Sequence, residues 1–179
     1  DAFKTFLLNK RPTRRDIIAG HFLLEANLTN LITRKIEAVN RHLFESDLSA
    51  VQLADDASVF RLDMLRNGKE YALRTGPIVS IIVPAFNAEA FLKMSVTSLL
   101  EQSYRDLEII IINDGSTDNT QRIAHNLSIN DTRVRVLNFS QNRGTYAARN
   151  AGLREATGHF VTVHDADDFA HAQKIEKQV

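Results

Sequence analysis

Four short apolar, β-branched runs in the second half of the chain constrain its fold more than any other feature. They cover residues 79–83, 107–112, 134–139 and 160–163, and their starts lie 28, 27 and 26 residues apart. Between them, residues 88–102, 117–129 and 145–156 carry the three-to-four-residue apolar recurrence of a helix. Strand, helix, strand at this spacing is the βαβ unit, and parallel strands buried on both faces account for the near-continuous apolar runs. The expected fold class is α/β, with an open, mostly parallel, Rossmann-like sheet. Ligands of such sheets bind in the crevice beyond the carboxyl ends of the strands, so those ends carry the functional reading.

The first part of the chain has a different texture. No glycine falls between Gly20 and Gly68, and no proline between Pro12 and Pro77. Leu24, Leu28, Leu31, Ile32, Ile36, Val39 and Leu43 recur at helical spacing, which predicts a helix over residues 16–44 with Thr13 as a candidate N-cap. A second helix is expected over residues 58–66, closed by Asn67-Gly68 as its C-cap. The chain thus divides at Gly76-Pro77 into a helical N-terminal region, residues 1–76, and an α/β part, residues 77–179.

Composition removes several function classes. The whole chain has 22 basic and 22 acidic residues, and neither part is strongly basic, so no nucleic-acid partner is expected. The absence of cysteine excludes disulfides, thiolate catalysis and Cys-based zinc sites. Apolar runs reach only four residues, as in Ile109 to Ile112, too few to span a bilayer. The chain opens Asp1-Ala2-Phe3-Lys4, without a charged-then-apolar leader or a methionine, which suggests a processed or excised piece. The expected location is the cytoplasm, with membrane association of a full-length protein left open.

The first strand ends Pro84-Ala85-Phe86-Asn87, with neither a dinucleotide fingerprint nor a P-loop anywhere in the chain. Pro84 and Phe86 are candidates for an apolar slot that takes a base, although Pro84 also serves simply to end the strand. The second strand ends Asn113-Asp114-Gly115-Ser116-Thr117-Asp118. Ser116, Thr117 and Asp118 are explained by capping of the next helix, whereas Asp114 precedes the turn and is a candidate acceptor for a base N–H or ribose hydroxyls. After the third strand, Gln141-Asn142-Arg143-Gly144 opens a helix carrying Arg149. Such a turn suits an anion, and Arg149 is placed either to reach a diphosphate or to anchor an acidic loop. The fourth strand ends His164-Asp165-Ala166-Asp167-Asp168. Three carboxylates within four residues repel one another unless a cation sits among them, and oxygen-only ligands point to Mg²⁺ or Mn²⁺. His164 and His171 flank this cluster as neighbours rather than ligands.

Taken together, these blocks resemble glycosyltransferase family 2. They are Val79-Ser80-Ile81-Ile82-Val83-Pro84-Ala85-Phe86-Asn87, Ile112-Asn113-Asp114-Gly115-Ser116-Thr117-Asp118, Asn142-Arg143-Gly144 with Ala148-Arg149-Asn150, Gly158, and the DXD-type Asp165-Ala166-Asp167-Asp168. The resemblance covers residues 78–179. It implies a GT-A fold that binds a nucleotide-diphosphate sugar, most often a UDP-sugar. Pro84, Phe86 and Asp114 would hold the base and ribose, and Asp165 would lie near the ribose and sugar; Asn87, Arg149 and Ala166 complete the candidate substrate-binding set. Asp167, with Asp165, would ligate the Mn²⁺ or Mg²⁺, and Asp168 is a weaker candidate.

The same resemblance implies an inverting transfer to an acceptor hydroxyl, on a glycan or lipid-linked acceptor, in glycan or polysaccharide synthesis. The chain stops eleven residues after the acidic cluster, within an expected helix over residues 172–179. The family's catalytic base is therefore expected beyond Val179, along with further strands of the sheet, and the fragment alone is expected to be inactive. A partner or oligomer would otherwise have to cover the open sheet edges. Ala172 stands where the family often has proline. Two other readings compete: a haloacid-dehalogenase-type phosphatase, whose Asp-x-Asp normally follows the first strand, and a non-catalytic nucleotide-binding or assembly module whose helical N-terminal region mediates protein interaction.

Overall fold

A computed structural model describes residues 29–53, 65–68 and 71–179. The chain forms two compact units, residues 1–71 and 72–179. In the first, helix α1 (Thr29–Glu45) precedes strands β1 (Val51–Leu53) and β2 (Leu65–Asn67), which pair antiparallel with Val51 opposite Asn67. Asn40 fastens α1 to β1: its amide nitrogen donates to Val51 O (2.9 Å) and its Oδ1 accepts from Val51 N (2.8 Å). The helix expected over residues 58–66 does not extend through its last two positions. Leu65 and Arg66 belong to β2, and Gly68 N donates to Ala50 O at 2.8 Å instead of capping a helix. An alternation in which Leu65 and Asn67 are buried and Arg66 exposed is the two-residue period of a strand, too short a stretch to outweigh the helical pattern before it. Residues 16–28 and 58–64 of the two expected helices lie outside the described residues.

The second unit is the α/β part. Its elements in order are β3 (Val79–Ala85), α2 (Leu92–Leu100), β4 (Leu107–Asp114), α3 (Thr120–Asn130), β5 (Val134–Phe139), α4 (Thr145–Glu155) and β6 (Phe160–Val163). The sheet is parallel throughout, in the order β5-β4-β3-β6. Leu107 lies opposite Val79, Phe160 opposite Val79 on its other side, and Val134 opposite Ile109.

This order follows from handedness. Crossovers between parallel strands are right-handed, so α2 and α3, which carry the chain outward from β3 to β5, cover the same face. The return from β5 to β6 passes over β4 and β3 and must use the other face, where α4 lies. The two cores match. Val79, Ile81, Val83, Ile109 and Ile111 pack with Leu92, Val96, Leu99 and Ala124, while Ile82, Ile110 and Ile112 pack with Ala148 of α4.

Burial on both faces holds for the central strands β3 and β4 alone. Phe160, Val161 and Val163 of β6 are exposed, because among the described residues β6 pairs only with β3 and lies at the sheet edge. The expected helix over residues 172–179 is replaced by consecutive turns. Ala172 O accepts from Ser103 N (2.7 Å), and Ile175 N donates to Gln102 Oε1 (3.0 Å), so groups that a helical ladder would use are spent on the end of α2. No helix among the described residues is long and apolar enough to cross a membrane.

At the amino end of β4, Glu108 ties three segments together. Its Oε1 accepts from Ser80 Oγ and Thr157 N, both at 2.5 Å, and from Thr157 Oγ1 and Gly158 N at 3.0 Å. Burial alone would raise the Glu108 carboxyl, but the bonds from Ser80, Thr157 and Gly158 outweigh it and hold the group below its ordinary value of 4.5. A carboxyl depressed in the folded state stabilises fully above its unfolded pKa, and that contribution is lost as pH falls through the folded value. Glu108→Ala is expected to cost about 2–3 kcal/mol in urea unfolding at pH 7, by stranding these donors. The variant should also lose less stability than the parent as pH drops below 4.5; parallel pH profiles would show that the carboxylate bonds do not carry the effect.

Candidate functional site

The direction of the chain reverses at β3, where β4 on one side is reached through one face and β6 on the other side through the opposite face. Loops leaving the carboxyl ends of β3 and β6 therefore diverge, and a crevice opens between them. A cleft of about 570 Å³ lies there, lined by Pro84, Phe86, Asn87, Ala88 and Phe91 from the β3 side. Thr145 and Arg149 of α4 and Asp165, Ala166 and Asp167 after β6 complete it. Seven of the residues singled out from sequence (Pro84, Phe86, Asn87, Arg149, Asp165, Ala166 and Asp167) thus meet in one cavity.

Asp114 is not among the lining residues. It is 3% exposed, and both its oxygens are engaged: Oδ1 accepts from Arg143 N (2.7 Å) and Oδ2 from Gly144 N (2.8 Å). This carboxylate at the end of β4 holds the loop that starts α4. A carboxylate offers about four lone-pair sites, so acceptor capacity remains beyond these two bonds. The turn needs glycine on both sides. Gly115 has φ +67°, and a Cβ there would lie 2.4 Å from the Gln141 carbonyl carbon; Gly144, at φ +87°, is the residue from which α4 begins.

Ser116 and Thr117 do not cap α3, which starts at Thr120 from Asn119 without a side-chain cap. They bind across the crevice floor instead. Asn87, itself at φ 49°, donates its N–H to Ser116 Oγ (3.0 Å), and its Oδ1 accepts from Thr117 N (2.9 Å). Glu89 continues the seam through Asn119 N (2.8 Å), and Asp118 accepts from Glu89 N (3.1 Å) and Thr120 N (2.9 Å). Asn87 is thus a clamp between the β3 and β4 loops as well as a wall of the cleft.

The acidic residues form a turn in which Asp168 N donates to Asp165 O at 3.1 Å. Arg149 Nη2 pairs with Asp165 Oδ1 at 2.9 Å, which realises the anchoring role open to that arginine, while Arg149 Nε is buried without a partner. Asp167 is exposed to the cleft, and no hydrogen bond or ion pair among the described residues engages its carboxylate. Burial, followed by the negative charges of Asp167 and Asp165, pushes the Asp168 carboxyl up. His164 is 3% exposed; burial and then the Lys174 charge push its imidazole down to about 4, leaving it neutral at pH 7.

Among the described residues, no group of three or more His, Asp or Glu side chains gathers closely enough to hold a metal ion alone. The donor set nevertheless fits a hard divalent ion of the Mg²⁺ type, which takes one or two carboxylates and completes its shell with water and phosphate oxygens. Asp167 is free to serve, and Asp165 has one oxygen committed to Arg149. Sequence reasoning missed Ala88, Phe91 and Thr145. Phe91, 39% exposed at the start of α2, stands where a polar cap is usual, and that misplaced aromatic was the available signal.

The family described as "Glycosyl transferase family 2" matches residues 80–179. An uncharacterised glycosyltransferase of Haemophilus influenzae is 45% identical over 103 residues, covering 58% of this chain and 41% of that protein. A protein of Escherichia coli named UDP-Glc:alpha-D-GlcNAc-diphosphoundecaprenol beta-1,3-glucosyltransferase WfgD is 37% identical over 102 residues, covering 57% of this chain and 40% of its own length. Among solved structures, S. aureus TarS 1–349 superposes with a TM-score of 0.52 at 29% identity, over 56% of this chain and 30% of that one. TarS has also been solved with UDP and with UDP-GlcNAc. The chain spans well under half the length of these relatives.

Asp114→Asn is expected to destabilise the fold by about 1–3 kcal/mol, because its amide nitrogen cannot accept from one of the two loop N–H groups. Denaturant unfolding checks this, and an unchanged midpoint would mean that the loop does not depend on the carboxylate.

Proposed function

The chain belongs to glycosyltransferase family 2, and from that membership we propose that it carries the donor-binding half of a metal-dependent glycosyltransferase using a nucleotide-diphosphate sugar, with UDP favoured. The observation that carries the reading is the composition of the cleft, whose lining combines Pro84, Phe86 and Phe91 with Arg149, Asp165 and Asp167. Apolar and aromatic side chains suit the flat face of a base, while a cation and carboxylates in the same cleft suit a diphosphate with its counter-ion. That TarS is solved with UDP and UDP-GlcNAc, and that WfgD is named for a UDP-Glc donor, supports the uridine preference.

In this reading Pro84, Phe86 and Asn87 hold the base and ribose, with Asp114 serving through the loop it fastens and its remaining lone pairs. Arg149 faces the diphosphate, and Asp165 and Ala166 border the ribose and sugar. Asp167, helped by Asp165, would hold a Mn²⁺ or Mg²⁺ ion. When bound, such an ion supplies Lewis-acid neutralisation of the charge growing on the departing nucleoside diphosphate. The transfer is an inverting displacement: the acceptor hydroxyl oxygen bonds to the anomeric carbon as the bond to the diphosphate breaks. The hydroxyl proton goes to a carboxylate base for which this chain offers no assigned residue, so the chain alone is expected to bind donor without transferring it. A lipid-linked or glycan acceptor, in polysaccharide synthesis, is consistent with the name of WfgD.

Calorimetric titration of UDP into the chain, with and without Mn²⁺ and with GDP for comparison, tests the reading. Metal-dependent UDP binding is expected, weakened at least about tenfold in Asp167→Ala, the scale on which perturbing a metal's ligand shell acts. Binding that is unchanged in Asp167→Ala would count against the metal role. Partner binding by the chain with no nucleotide uptake would favour the assembly-module reading instead.

A further inference from the structure

Beside the cleft, His164 and Lys174 occupy positions that the proposed chemistry does not use directly. His164 directly follows β6, and its N–H donates to Ile82 O at 2.9 Å, so its backbone is fixed on the sheet. Its ring is buried between two groups of opposite hydrogen-bonding character. Nδ1 lies 3.2 Å from Lys174 Nζ, and Nε2 lies 3.3 Å from the Asp168 carbonyl oxygen. An ammonium can only donate and a carbonyl can only accept. Nδ1 therefore carries the lone pair and Nε2 the proton, so the neighbours impose the tautomer.

The consequence falls on the acidic turn. Its first carbonyl, Asp165 O, accepts from Ser95 Oγ of α2 at 3.2 Å. Its last carbonyl, Asp168 O, accepts from His164, and Asp168 N closes the turn onto Asp165 O. Both ends of the turn are thus held by buried side chains, with Asp167 between them. The ammonium of Lys174 is half-buried; burial pushes its pKa down, and the charges of Asp168 and Asp165 offset part of that. It is a built-in cation beside two of the three carboxylates. It also orients the ring that pins the turn.

We propose that Lys174 and His164 act as a pair of positioning residues, Lys174 orienting His164 and His164 fixing the Asp165–Asp168 turn so that the Asp167 carboxylate is presented to a divalent ion and diphosphate. This rests on the donor-binding reading for its purpose, but not for its geometry.

Two readouts on the 179-residue chain separate them. The first is ligand-free NMR. The wild-type His164 ring is expected to show the neutral Nε2–H form, and Lys174→Met should shift the amide resonances of residues 165–168 while leaving those of β3 and β4 in place. The second is titration with Mn²⁺ and UDP, in which Lys174→Met should lose about tenfold in affinity, as expected for removal of a group that orients a metal ligand. Lys174→Gln retains a donor for Nδ1, and His164→Gln retains a donor for Asp168 O. Each should keep the turn resonances closer to wild type than Lys174→Met and His164→Val respectively, which also covers a variant that folds poorly. Turn resonances and affinity unchanged in Lys174→Met, or His164→Val matching His164→Gln, would overturn the proposal. A wild-type chain that takes up neither Mn²⁺ nor UDP, but whose turn still shifts in Lys174→Met, supports the positioning and overturns the donor reading alone.

Discussion

Right-handed crossover between parallel strands is the constraint on which everything else in the α/β unit depends. Successive crossovers carry the chain from β3 through β4 to β5 on one face, and the return to β6 on the other. That single reversal separates the loops after β3 and β6 and leaves an opening between them. The cleft is thus a product of connectivity, and the residues that reach it are those the chain carries at two strand ends and in the first turns of α4.

Around that frame, hydrogen-bonded carboxylates do work usually assigned to apolar packing. β4 is bracketed by two of them. Glu108 at its amino end gathers donors from β3 and from the segment before β6, and Asp114 at its carboxyl end holds the loop before α4. Asp114 stays in the interior because N–H groups satisfy it, the condition under which a buried charge is tolerable, and the half-buried Glu108 is satisfied in the same way. Asn87 extends the same device across the floor of the cleft by accepting from Thr117. Much of the polar signature near the cleft is therefore architecture, and the groups left for a ligand are few: the aromatic wall, Arg149 and the acidic turn.

Legibility of the chain varied with the physical source of each signal. Strands 134–139 and 160–163 kept the bounds expected of them, and β3 and β4 ran two residues further, through Pro84-Ala85 and Asn113-Asp114, because buried pairing continues there. Helix starts were read less well. Ser116 and Thr117 look like caps, but their hydrogen bonds go to Asn87, a residue about thirty positions away in sequence. The turn series at 172–179 failed as a helix for a similar reason, since Gln102 and Ser103 claim its backbone groups. Leu65 to Asn67 was lost because a three-residue strand carries too little period to be seen.

The order of strand and helix signals, the acidic cluster and the family motifs were all present in the sequence, because each rests on local spacing or on residue type. Strand order, the sharing of α2 and α3 on one face, and the meeting of Phe86 with Asp167 belong to tertiary structure, because crossover handedness acts on whole elements. The same division holds for single side chains. A sequence can offer Asp114 and Asp167 as two acids at two strand ends; only packing decides that one is buried against the Arg143 and Gly144 amides while the other stays unengaged at the cleft. A hydrogen-bond donor supplied from a distant loop leaves no trace in the spacing around the acceptor.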